Sequence, residues 1–205
     1  MSWSPTVADA PIGPSQTPPQ PPRRKPVIPS GVLGMAIFIF TEIMLFAGFI
    51  SGFVIVKGRA AGGVWPPLGQ PRLPVEETAI NTGALVLSAF VLFFASRKFK
   101  ENPNSAKLPL IISIGLGLFF VVGQGLEWAA MLEQGLTLTS STHGSFFYTI
   151  VGFHGLHAIC AIGMLVWALV KLFQNELAIT ALWTCQTFWY FVVAVWSVIY
   201  WKVYL

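Results

Sequence analysis

"GVLGMAIFIFTEIMLFAGFISGFVIV", residues 31–56, carries a single ionisable side chain, Glu42. A bilayer core about 30 Å thick takes about 20 apolar residues in helical form, so this stretch is long enough to cross it. The run is continuous, whereas barrel strands are about ten residues long and alternate in polarity, which selects a helix over a barrel. Four further stretches meet the same length: 78–96, 108–131, 144–170 and 178–201. The expected fold is therefore all-α, an integral membrane bundle of five transmembrane helices. Composition agrees, since 55% of the 205 residues are hydrophobic and 10% charged, against roughly a quarter charged in a soluble domain.

The ends and connections separate cleanly from these runs. Residues 1–30 hold nine of the fifteen prolines and no apolar run, a composition expected to remain a disordered cytoplasmic tail ahead of a membrane domain over 31–205. The first apolar run is too long for a signal-peptide core, and no small-residue cleavage site follows it. The 58–78 connection is rich in Gly and Pro and reads as an irregular external loop with Trp65 at the interface. With the N-terminus in the cytoplasm, Arg23, Arg24, Lys25, Arg97, Lys98, Lys100, Lys107 and Lys171 lie inside, and only Lys57, Arg59, Arg72 and Lys202 lie outside. That bias predicts a cytoplasmic N-terminus and a periplasmic C-terminus. The basic residues flank helices and form no patch interleaved with aromatics, which argues against nucleic acid as a partner.

Intramembrane ionisable groups are rare, and each one raises a functional hypothesis. Glu42 sits mid-helix, where an acidic side chain costs about 2.5 to 3.5 kcal/mol on insertion scales. It is protonated, paired within the protein, or open to a wet cavity. Glu42 lies fourteen residues before the outer end of its run, and His154 and His157 lie about ten and thirteen residues into theirs from the same side. At about 1.5 Å per residue the three share a layer near the midplane. One reading has Glu42 bonded, directly or through water, to one of the imidazoles. The other has the histidines satisfied by nearby carbonyls and Glu42 a buried neutral acid.

Gln124 and Glu127, one turn apart beside Trp128, read either as a polar pair near water or as a bond fixing the third helix to a neighbour; the first is the simpler. Gly48 and Gly52 form a G-x-x-x-G that permits close helix approach but is common by chance. Aromatic runs such as "FWYF" and "YWKVYL" suit packing and an interface belt better than a cofactor box. Cys160 and Cys185 stand alone in separate helices, without the paired thiolates of a dinuclear copper or iron–sulfur site. Two imidazoles three residues apart on one helix cannot take the opposed axial positions of one haem, and His143 lies in the outer connection. Neither a catalytic residue nor a metal or cofactor ligand is expected in this chain.

Taken in order, "FIFTEIMLFAGF" (38–49), "VWPPLGQ" (64–70) with "INTGALVLS" (80–88), "GQGLEW" (123–128) and "HGSFFYTIVGFHGLHAICAIG" (143–163) resemble subunit III of the haem–copper terminal oxidases, the cytochrome c oxidase family. The resemblance runs from about residue 33 through all five helices, and Gly152–His157 carries it most specifically. It implies a helical subunit without redox centres, packed on a catalytic subunit I that holds haem and copper. The implied role is to stabilise that neighbour, sustain proton uptake and protect it during turnover, in a complex with other respiratory subunits and with bound phospholipid. The resemblance also implies that Glu42 is the family's intramembrane glutamate, His154 and His157 its paired histidines, and Gln124 and Glu127 its Q-x-x-E pair.

Two departures accompany the resemblance. Longer members have seven helices, so this chain resembles the short five-helix bacterial form, of a plasma (inner) membrane. The last helix reads "FWYFVVAVW" where the family has Y-W-H-F-V-D-V-V-W, with Tyr190 in place of His and Val193 in place of Asp. Two alternatives stand beside the oxidase. One is the related small subunit of a nitric oxide reductase or another respiratory complex. The other is a small proton-coupled transporter, against which the absence of repeats and of broken helices weighs.

Overall fold

The structure, a computed structural model, describes residues 30–59 and 74–205. The expected disordered tail and most of the first external connection, Trp65 included, lie outside the described residues. Five helices follow one another: α1 (Ser30–Gly58), α2 (Val75–Glu101), α3 (Lys107–Glu133), α4 (Thr142–Phe173) and α5 (Ile179–Ile199). Each is long and apolar enough to cross a membrane, and no strand occurs among the described residues.

The helices end where the sequence offers a local reason. α2 opens with Glu76 and Glu77 in its first turn and closes with Lys98 and Lys100 in its last, matching the charge bias of the helix dipole. It stops at Asn102, whose side chain accepts from the Asn104 N–H as Pro103 starts a single 3₁₀ turn, Pro103–Ala106, into α3. α3 ends at Gly135 (φ +86°), where Leu136 N–H donates to the Met131 carbonyl and Gly135 N–H to that of Leu132, the paired bonds of a Schellman cap. α4 ends the same way, with Asn175 at φ +57° and Glu176 N–H donating to the Lys171 carbonyl. Ser141 caps its start, the hydroxyl accepting from Gly144 N–H.

In the bundle α5 is the central helix, touching α1, α2 and α4, while α2 pairs with α3, and α3 with α4. Its buried positions, from Leu182 to Ile199, lie on more than one face and include Trp189 and Trp196. α1 is the reverse case, apolar all round but burying only Phe46 and Phe53. A helix of that kind needs lipid or another chain on its remaining surface, and Phe40 and Met44 are 65% and 64% exposed. After α5 the chain tightens into one π-helical turn, Tyr200–Tyr204, which buries Val203 and Tyr204.

Helix packing in lipid relies on close contact and polar bonds, because apolar burial offers no gain there. Trp189 Nε1–H donates to Ser88 Oγ at 3.0 Å and Trp196 Nε1–H to Thr82 Oγ1 at 2.8 Å, tying α5 to α2. Ser113 Oγ–H on α3 donates to the Ser88 carbonyl at 2.9 Å. The "FWYF" run is therefore a packing element, whereas Trp201 is 62% exposed and lies under the Lys202 ammonium.

Of the G-x-x-x-G pair only Gly52 marks a close helix approach. A Cβ on Gly48 would meet nothing, whereas one on Gly52 would stand 3.1 Å from Cε1 of Phe146 on α4. Tighter approaches occur on α3, where a Cβ on Gly117 would stand 2.7 Å from Trp189 Cη2 and one on Gly123 2.6 Å from Asn81 Oδ1.

Candidate functional site

Of the two layers of intramembrane polar groups, the deeper joins α1 to α4. His157 Nε2 lies 3.0 Å from Glu42 Oε2, and Nδ1 lies 2.7 Å from the Phe153 carbonyl oxygen. A carbonyl can only accept, so the proton sits on Nδ1. The Glu42–His157 contact then holds one further proton, on the acid or on the ring. In either arrangement the pair carries no net charge, which removes most of the cost of a lone anion at this depth. The two side chains are 16% and 11% exposed respectively, and the Phe46 ring packs edge-on against His157, with centroids 5.4 Å apart. Both readings of the sequence describe part of this geometry, since Glu42 is paired and His157 also uses a backbone carbonyl.

His154, one turn earlier on α4, does not take part. It turns into the bundle, 1% exposed, with its ring centroid 5.0 Å from Trp196 and 6.2 Å from Phe120. Neither ring nitrogen has a hydrogen-bonding partner. His143, at the start of α4, packs near Phe53 and Phe147.

The second layer lies toward the α3–α4 connection and is centred on Glu127. Its Oε2 accepts from Thr78 Oγ1 at 2.7 Å and from Gln124 Nε2 at 2.7 Å, and its Oε1 accepts from Asn81 Nδ2 at 2.8 Å. Gln124 Nε2 also donates to Tyr204 Oη at 3.1 Å. Gln124 and Glu127 are therefore more than a polar pair near water: they bind α3 to the start of α2 and to the last turn of the chain. Reading single runs missed Thr78, Asn81 and Tyr204, because none is ionised and polar residues near helix ends are ordinary. The signal was present in "INTGALVLS", whose Asn81, Thr82 and Ser88 break an otherwise apolar run and all bond to neighbouring helices.

Tyr190, in the position where the resemblance has histidine, accepts a bond from Gln186 Nε2 at 2.6 Å one turn away on α5, and Val193 is buried. The cysteines remain apart: Cys160 is exposed on the bundle surface and Cys185 is buried. Among the described residues no three His, Cys, Asp or Glu side chains gather in a way that could hold a metal ion.

Comparison with known proteins gives one answer. Residues 23–205 match the family described as cytochrome c oxidase subunit III. Similar proteins include cytochrome c oxidase subunit 3 of Rattus norvegicus, 32% identical over 87% of this chain and 71% of the relative. The same subunit of Mus musculus is 31% identical with the same coverage. That of Ornithorhynchus anatinus is 32% identical over 83% of this chain and 67% of the relative.

Proposed function

The chain belongs to the cytochrome c oxidase subunit III family, that of an accessory, multi-pass membrane subunit without redox cofactors of its own, and from that premise we propose how it serves its complex. It sits in a bacterial plasma membrane with its N-terminus in the cytoplasm, packed against the catalytic subunit I that carries haem and copper. There it stabilises that subunit and supports its proton uptake, with phospholipid held at the seams. The chain itself turns over nothing.

The observation that carries this reading is the Glu42–His157 bond. α1 is the least buried helix, and its only side-chain hydrogen bond to another helix among the described residues is this one. A net-neutral pair at mid-depth anchors α1 to α4. The pair is 11–16% exposed at the bundle surface, where a neighbouring subunit or lipid would cover it.

Extraction in a mild detergent tests the assignment, with a haem-containing partner expected to copurify. The Glu42→Ala variant should leave the haem spectrum unchanged while losing this subunit on washing or shortening activity under sustained turnover. A chain that purifies alone and moves solute, or a haem centre bleached by the substitution, would overturn it.

A further inference from the structure

α1 starts deeper in the membrane than its neighbours. A Cβ on Gly31 would stand 3.1 Å from Thr184 Oγ1, so the first turn of α1 is level with the second turn of α5. α5 begins five residues before Thr184, at Ile179, which places its start roughly 7 Å nearer the membrane surface. α4 reaches further: Cys185 Sγ–H, one residue on from Thr184, donates to the Met164 carbonyl at 3.6 Å. From Met164, α4 runs nine more residues to Phe173, roughly 14 Å along its axis. The chain ahead of Ser30 must therefore climb beside α4 and α5 before it clears the membrane.

A cavity of about 520 Å³ lies on that path, with Ser30, Met164, Trp167, Thr180 and Thr184 in its wall. The wall is mostly apolar, and Trp167 is half exposed. α5 has no side-chain cap, so the N–H groups of its first turn, at the rim, have no acceptor within the helix.

The sequence ahead of Ser30 suits this place. Non-helical backbone at membrane depth is tolerated only against protein or water. Residues 26–29 read Pro-Val-Ile-Pro, two aliphatic side chains between prolines, and of the four only Val27 and Ile28 carry an N–H. Proline also holds the residue before it in extended backbone. At about 3.1 Å per residue in that form, the five residues from Lys25 to Ser30 span roughly 15 Å, enough to pass the end of α4. Arg23, Arg24 and Lys25 would then reach the level of Glu176, a carboxylate 61% exposed just beyond α4.

We propose that residues 26–29 form a strap in this cavity. Val27 and Ile28 fill it, their carbonyls accept from the first-turn N–H groups of α5, and the basic run at 23–25 lies beside Glu176. The strap holds the starting end of α1 against α4 and α5, as the Glu42–His157 bond holds its middle. An acyl chain would have to displace an occupant tethered two residues from the rim, whose effective concentration there is high.

The test places cysteine pairs in the full chain in native membranes, in a Cys160→Ser/Cys185→Ala background. A disulfide needs Cα atoms about 4.4–6.8 Å apart. Oxidation should join Ile28→Cys to Thr180→Cys in most molecules, read as loss of both maleimide–polyethylene glycol tags after denaturation. Ile28→Cys paired with Trp183→Cys, on the side of α5 where Lys100 of α2 covers the indole, should stay reduced. Separately, Thr184→Cys should react with N-ethylmaleimide several-fold faster once Val27 and Ile28 are both replaced by serine, changes that lie ahead of the helices and leave their packing intact. Absence of the first disulfide, or equal joining at positions 180 and 183, would overturn the proposal. So would a Thr184→Cys reactivity indifferent to the two serines, which would mean that an acyl chain or another subunit fills the cavity.

Discussion

At the residue scale the two carboxylates inside the membrane are accommodated differently. Glu42 meets a single imidazole and shares a proton with it, whereas Glu127 accepts three bonds from two helices. Side-chain hydrogen bonds between membrane helices average about 0.6 kcal/mol and reach about 1.7, and two of the three come from α2, so Glu127→Ala should cost about 1–2 kcal/mol. Glu127→Gln, which keeps one acceptor oxygen but turns an NH₂ toward a donor, should lose roughly half as much. Unfolding in mixed detergent micelles measures both, and equal stability of the three proteins would show that water or lipid replaces the bonds. Tyr204 belongs to the same cluster, since its hydroxyl accepts from Gln124 and anchors the last turn of the chain.

At the element scale α3 is held by absence of side chain as much as by bonds. Trp189 is fully buried, its indole N–H is engaged by Ser88, and its ring edge fills the space a Cβ on Gly117 would take. Gly117→Ala must therefore displace a ring that has no room to move, and overpacking of this kind costs about 1–3 kcal/mol. Gly48→Ala, where a Cβ meets nothing, should change stability by no more than about 0.5 kcal/mol. The pair is read in the same micelle unfolding assay, and a Gly48 variant as damaged as the Gly117 one would restore the G-x-x-x-G seam that the packing argues against. α5 owes its central place to the same logic, because its two buried tryptophans reach hydroxyls on α2, and α2 in turn meets Glu127 of α3.

At the scale of the whole molecule the bundle is asymmetric, with α2, α3, α4 and α5 interlocked and α1 against their flank. The proposed orientation is open to direct measurement. Cysteine placed at exposed Asn104, in the α2–α3 turn, should react with an impermeant maleimide only after the cytoplasmic side is opened, and cysteine at exposed Thr139, between α3 and α4, should react in intact spheroplasts. The reverse pattern would invert the topology and with it the side from which the Glu42 layer is reached.

The sequence by itself determined the number of spans, their helical form and the small set of ionisable groups inside them. The reason is local: a chain in hydrocarbon must satisfy its backbone within each segment, so continuous apolar length alone specifies a spanning helix. The motif resemblance likewise pointed to the family without any geometry. Only the tertiary structure decided that His157 and not His154 meets Glu42, that Glu127 draws in Thr78 and Asn81, and that Gly117 rather than Gly48 marks a close approach. Those outcomes depend on how each helix is rotated about its axis. A helix as uniformly apolar as α1 carries no polar face to reveal that rotation, and it is fixed by packing and hydrogen bonds to residues as many as 115 positions away.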